Sequence, residues 1–243
     1  MTEKVLYEEL VPQEFRERVA AYPVAYLPLG TLEWHGEHLP LGADGIQSRG
    51  FFQHLAREVG GIVLPMLFMG PDRAAETEQG VFYGMDCKWD GNNATQCVQL
   101  AGSAYWLPTD LFKNYLEAIF TQLKRQGFKV VVAHGHGPSG GVIGRNADAW
   151  REKFGMEFFN CWGTKAGGEG YGVQCDHAAA NETSLTWALR PELVQLDRLP
   201  KDLNEPLVGV GGKDPRVYAS KEMGETIIRL NVKELAARIK TLL

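Results

Sequence analysis

Hydrophobic positions along the chain follow two rhythms. Short, mainly apolar runs occupy Val24–Leu29, Gly61–Phe68, Phe128–Ala133 and Met156–Asn160. Runs this short predict strands, and the most apolar of them predict strands buried on both faces, as in a parallel sheet. Between them, apolar residues recur at three- and four-residue spacings and predict amphipathic helices. One covers residues 7–20, with Phe15 and Val19 four apart, and a second runs from Gly45 to Glu58 on Phe51, Phe52 and Leu55. A third, Pro108–Gly127, carries Leu111, Tyr115, Leu116, Ile119, Phe120 and Leu123 and stops at a glycine. Pro138 and Ser139 open a fourth that extends to about Glu152; a fifth ends near Arg190, and Thr226–Leu243 closes the chain.

Alternation of strand and helix predicts an α/β fold of three layers, a mostly parallel sheet flanked by helices, within a single domain over residues 1–243. Right-handed crossovers then bring the loops at 30–44, 134–139 and 161–177 to one edge of the sheet. Residues 69–108 break the rhythm. Rich in Gly and Asn, with Tyr83, Trp89, Tyr105 and Trp106, this stretch is far longer than an ordinary connection. It reads as an active-site or subunit-contact excursion with short strands of its own.

Composition narrows the function classes. A net charge of -5 without a long basic run argues against nucleic acid. No apolar stretch approaches the roughly 20 residues of a membrane helix, and no signal-peptide core follows Met1, so the expected location is cytoplasmic. Cys87, Cys97, Cys161 and Cys175 lack CxxC spacing and read as reduced thiols.

The chemistry is concentrated in the three loops. Five of the six histidines (His35, His38, His134, His136 and His177) lie there, with Glu33, Asp44 and Glu182 beside them. An extended Glu-x-His places Glu33 and His35 on one side of the backbone, where both can face one ion. Asp44 opens a helix, so its carboxylate can cap that helix, bind an ion, or do both. Imidazole and carboxylate ligands around two divalent ions suit Zn²⁺ or Mn²⁺ and metal-assisted hydrolysis.

Leu29-Gly-Thr-Leu-Glu-Trp-His-Gly-Glu-His-Leu-Pro-Leu-Gly-Ala-Asp44 resembles the opening motif of the creatininase (creatinine amidohydrolase) family. Gly135-His-Gly resembles the centre of that family's Asn-Gly-His-Gly-Gly-Asn motif, and His177-Ala-Ala-Ala-Asn-Glu-Thr-Ser its His-Ala-Gly-Glu-x-Glu-Thr-Ser motif. The resemblance implies a binuclear centre in which Glu33, Asp44 and His136 hold one ion. His35, the shared Asp44 and a further carboxylate hold the other. Creatininase takes that carboxylate two residues after the central His, where this chain has Pro138; Glu182 is then the expected ligand, set against a role in capping its helix. His177 matches the catalytic histidine and is expected to protonate the leaving nitrogen. His38 is expected behind a ligand or beside substrate, Glu37 in solvent, and Trp34 facing away from the ions. The family also implies a homo-oligomer, commonly a hexamer.

Departures from the pattern bear on the substrate. Gly137 and Val173 stand where creatininase has the Tyr and Trp around its substrate, which argues against creatinine itself. His134 and Ser139 replace two Asn residues; His134, two positions from His136, is either an extra ligand or a substrate contact. The expected activity is hydrolysis of a C–N amide bond in a small molecule, cyclic or formamide-like, with the excursion aromatics and Trp162 suggesting a flat one. The alternatives are hydrolysis of another bond, such as a lactone, and a metal-containing binding or scaffold subunit without turnover.

Overall fold

The computed structural model describes residues 4–161 and 167–243; Trp162 lies outside them. A 3-10 turn at Tyr7–Glu9 precedes α1 (Pro12–Ala21), β1 (Val24–Leu29), α2 (Ala43–Val59) and β2 (Ile62–Val63). The excursion forms two hairpins, β3 (Ala74–Thr77) with β4 (Gly80–Tyr83) and β5 (Lys88–Asp90) with β6 (Asn93–Thr95). Then come α3 (Thr109–Arg125), β7 (Val130–Gly135), α4 (Gly137–Phe154), β8 (Glu157–Asn160), α5 (Ala180–Leu189), α6 (Pro215–Tyr218) and α7 (Lys221–Lys240).

Four parallel strands make the central sheet in the order β2-β1-β7-β8. Side chains alternate across it as the period of two requires. Val24, Tyr26, Val130 and Val132 pack with Phe51, Phe52 and Leu55 of α2 and Ile227, Leu235 and Ile239 of α7. Ala25, Leu27, Leu29, Val131 and Ala133 pack on the other face with Phe112, Leu116 and Phe120 of α3 and Ile143 and Trp150 of α4. This is the expected three-layer α/β arrangement. From β1 the chain leaves in one direction to β2, and it returns to place β7 on the opposite side of β1. Loops after β1 and β7 therefore diverge, which opens a crevice at the carboxyl ends of these neighbouring strands.

Several boundaries differ from expectation for identifiable reasons. Pro12 separates the N-terminal stretch into a 3-10 turn and a helix, because the residue before a proline avoids helical geometry. The second strand stops at Val63; Pro65 has no N–H to donate, and the backbone continues beside β1 through single bonds such as Leu67 N to Pro28 O at 3.2 Å. The last helix starts at Lys221, where the Ser220 hydroxyl accepts the Met223 N–H at 3.0 Å. No described helix is long and apolar enough to cross a membrane.

One expectation is overturned. Cys87 and Cys97, read as reduced thiols, form a disulfide across the β5–β6 hairpin, with their Cα atoms 4.1 Å apart. The hairpin folds one cysteine onto the other, a pairing that the search for CxxC spacing does not detect. Cys161 and Cys175 are free.

Candidate metal centre

The loops after β1 and β7 leave the sheet at the crevice, and Gln174, Asp176, His177 and Glu182 line the same cavity from the segment that leads into α5 and from its first turn. After β1, the chain bends through the segment of Glu33 and His35 before entering α2. The carboxylate of Asp44, in the first turn of α2, makes no cap hydrogen bond, and the N-cap is Gly42. Of the two roles open to Asp44, the structure leaves it free for the crevice. After β7, Gly135 adopts φ +131°, and a Cβ there would run into the Leu29 carbonyl. The chain turns at that glycine and starts α4 with His136 at its N-cap.

Three groups of potential ligand atoms result, two of them buried throughout. Glu33, Asp44 and His136 form one, and His35, Asp44 and Glu182 another, each with its ligand atoms within 4.8 Å of one another. Asp44 belongs to both. Its Oδ2 lies 3.1 Å from His136 Nδ1, with Glu33 Oε2 at 3.4 Å from the same nitrogen. Asp44 Oδ1 lies 3.4 Å from His35 Nε2, and Glu182 Oε2 lies 3.7 Å from that nitrogen. The third group joins Glu33 and His35 to His177.

The outward nitrogens of both histidines are committed. His35 Nδ1 donates to the Glu33 carbonyl at 3.1 Å, and His136 Nε2 to the Pro71 carbonyl at 3.2 Å. This fixes each ring with its other nitrogen toward the carboxylates, the disposition that ligand histidines adopt. His35 Nε2 has no hydrogen-bond partner although it is buried. Electrostatics tell the same story. Burial pulls His35 down, but Asp44, Glu182 and Glu33 outweigh it and hold the imidazole up at about 10. Burial and the charge of Asp44 push Glu182 well above the usual carboxylate range. Without an ion, the buried carboxylates are balanced by protons on the imidazoles, and divalent ions can take the place of those protons. The donor set fits two divalent ions.

Glu182 turns toward His35 and leaves the capping of its helix to another residue. Its Oε2 accepts the Ala178 N–H at 2.7 Å while facing His35, and the cap of α5 comes from Asp176, which accepts the N–H groups of Asn181 (2.7 Å) and Glu182 (3.1 Å). His177 lies with its ring centroid 4.4 Å from that of His35. Its Nε2 donates to the Trp34 carbonyl at 2.9 Å, so Nδ1 carries no proton in the neutral ring. Burial, then the charge of His35, lowers its pKa. Trp34 points away from the centre and donates to Val208 O at 2.9 Å; Glu37 is exposed.

Three expected site residues lie outside the ligand groups. His134 continues the alternation of Val130 and Val132 and is fully buried beside Phe51 and Phe52, with Nε2 on the Val173 carbonyl at 3.2 Å. Two-residue spacing would put it on the side of His136, but the alternation ends at the positive φ of Gly135. Burial lowers the His134 pKa to about 4. His38 meets the Thr183 hydroxyl at 2.8 Å, one residue from the candidate ligand Glu182. Ser139 is buried at the start of α4, and its hydroxyl finds no hydrogen-bond partner.

A cavity of about 360 Å³ opens onto the ligands. It is also lined by Asp72, Arg73, Gln174 and Asp176, which the sequence reading did not single out. Asp72 Oδ2 sits 3.5 Å from His136 Nε2, and burial, aided by Glu33, pushes its carboxyl up to about 6 against the pull of His136. Trp106, with its centroid 5.9 Å from that of His136, stacks on Tyr83 and forms part of the surrounding wall. The excursion thus reaches the site.

The Creatininase profile, described as creatinine amidohydrolase, matches residues 8–239. This chain belongs to the creatininase family. A curated creatinine amidohydrolase of Pseudomonas putida is 27% identical, over 99% of this chain and 98% of its own. Among solved structures, a mutant creatininase of Zn–Zn type superposes with a TM-score of 0.74 at 25% identity, covering 99% of this chain and 98% of that one. A creatininase in a Mn form gives 0.71 at 24% identity, covering 98% of each chain. The family assignment makes the chain an amidohydrolase.

Proposed function

We propose that this amidohydrolase cleaves a C–N amide bond of a small molecule at a binuclear metal centre, and that its substrate is a cyclic amide or a formamide. The observation that carries this reading is the shared carboxylate of Asp44, with one oxygen in each of two ligand groups. Glu33, Asp44 and His136 would hold one ion, and His35, Asp44 and Glu182 the other. Two divalent ions so placed supply a nucleophile at neutral pH and polarise the carbonyl. The related structures of Mn and Zn–Zn type support these two elements.

The chain's own residues do the remaining work. His177, in its neutral form, would take at Nδ1 the proton that the attacking water gives up and pass it to the leaving nitrogen. The Trp34 carbonyl fixes the tautomer that leaves Nδ1 free. The Pro71 carbonyl, with Asp72 beside it, holds the His136 ring. Gly137 and Val173, the second of which is buried in the core, provide neither of the aromatic walls of creatininase, so creatinine is not the proposed substrate.

The reading is tested by metal content together with turnover of a panel of cyclic amides, formamides and lactones with Mn²⁺ and with Zn²⁺. Metal-dependent release of amine from an amide supports it. Two bound ions with hydrolysis confined to lactones, or with no turnover across the panel, would favour the other-bond or binding-subunit alternatives.

A further inference from the structure

Asp44 is approached from three sides by side chains, and only two of these belong to the ligand groups. The third is Gln174. Its Nε2 donates to Asp44 twice, to the backbone carbonyl at 3.1 Å and to Oδ1 at 3.1 Å. The donor assignment follows from chemistry, because a carboxylate oxygen can only accept. Oδ1 is also the oxygen that faces His35 Nε2. Gln174 therefore acts on one arm of the shared carboxylate, and Oδ2 is left to His136.

The backbone at Gln174 is unusual. It adopts φ +50°, in the left-handed region that non-glycine residues seldom enter. Strain of this kind persists only where the surroundings over-determine it, and it gathers at functional sites. Here the adjacent residues fix the conformation: Val173 is buried in the core, and the Cys175 N–H is held by Asn181 Oδ1 at 3.2 Å. The turn aims the glutamine side chain at Asp44 while it remains only 3% exposed. Its Oε1 has no hydrogen-bond partner, on a residue that lines the cavity. A glutamine serving packing alone would be expected to pair both ends of its amide.

From these observations we infer that Gln174 is a positioning residue for the centre. It orients Asp44 so that Oδ1 is presented to the ion on the His35 side, and its amide discharges the cost of burying that oxygen before an ion arrives. The inference rests on the two-ion reading above and adds an asymmetry to it. Loss of Gln174 should weaken the ion held by His35, Asp44 and Glu182 far more than the one held by Glu33, Asp44 and His136.

The test uses the full chain stripped of metal and reloaded with Mn²⁺ or Zn²⁺, with affinity measured by competition with a chromophoric chelator. Three proteins are compared: wild type, Gln174→Leu and Gln174→Asn. Leucine keeps the bulk without the amide. Asparagine tolerates positive φ best and is one methylene too short to reach Asp44, so it preserves the fold. Both variants are expected to bind one ion as wild type does and the other about 10–100-fold more weakly, the usual cost of losing a group that orients a ligand. The ion-free Gln174→Asn protein should keep the wild-type circular dichroism and melt a few degrees lower, for the lost hydrogen bonds. Wild-type affinity for both ions in both variants would overturn the inference, as would parallel loss of both ions together with the fold. A wild-type protein that binds no ion would overturn the two-ion reading itself.

Discussion

Asp44 Oδ1 lies 3.4 Å from His35 Nε2, and this contact joins the helix that follows β1 to the loop that precedes it. The carboxylate raises the histidine, and the histidine lowers the carboxylate despite their shared burial. A buried pair of this kind holds a proton where a metal ion would sit.

Metal binding must therefore release protons. His35 is held at about 10 and His136 well above its ordinary value, so both are protonated at pH 7 in the ion-free protein. Affinity for Zn²⁺ or Mn²⁺ should rise as pH increases from 6 to 9. Calorimetry in buffers of different ionisation enthalpy would count the protons, and a pH-independent affinity would contradict the account. The stability of the ion-free chain should follow the opposite trend. A raised folded pKa stabilises fully below the unfolded value of about 6.5 and fades as pH climbs through the folded one.

His177 should separate chemistry from metal binding. Its ring lies against His35, but its nitrogens belong to Trp34 O and to the cavity. His177→Gln should lower kcat by about 10²–10⁴ while both ions remain. Wild-type kcat in this variant would remove His177 from proton transfer.

The Cys87–Cys97 bond closes the hairpin next to the site wall, where Trp89 Nε1 donates to the Gly84 carbonyl at 2.6 Å. Closing a loop of this length stabilises by about 2–3 kcal/mol through the unfolded chain. The paired change Cys87→Ser with Cys97→Ser should lower Tm by about 2–4 °C per kcal/mol lost. Thiol titration of the unreduced, denatured protein should give two free thiols, and four would refute the bond.

The excursion also exposes Val81, Val98 and Tyr105, at 51%, 66% and 59%. These side chains are candidates for the subunit contact of the homo-oligomer that the family resemblance implies. If they form it, Val98→Lys shifts the assembly to smaller species by light scattering. An unchanged mass would place the subunit contact elsewhere.

How far the sequence revealed this molecule depends on how local each feature is. The sheet and its helices were legible because strand runs and helical spacings are properties of neighbouring residues. Glu33 and His35 were legible from their spacing, and Glu182 from its place after His177. His134 was misjudged because one glycine, Gly135, ends the alternation on which its direction was read. Asp72 and Gln174 were missed because neither carries a spacing signal of its own. Asp72 follows β2 and Gln174 precedes α5, and only the folded sheet edge brings them to His136 and Asp44. The disulfide was hidden for a similar reason, since only the hairpin makes its cysteines neighbours.

The central claim is that one carboxylate serves two ions. Metal per chain, measured on wild type and Asp44→Ala protein purified without chelator and matched for folding by circular dichroism, tests it most directly. The account predicts two ions per chain in wild type, and none with no turnover in Asp44→Ala. An Asp44→Ala protein that keeps two ions and full activity would contradict it.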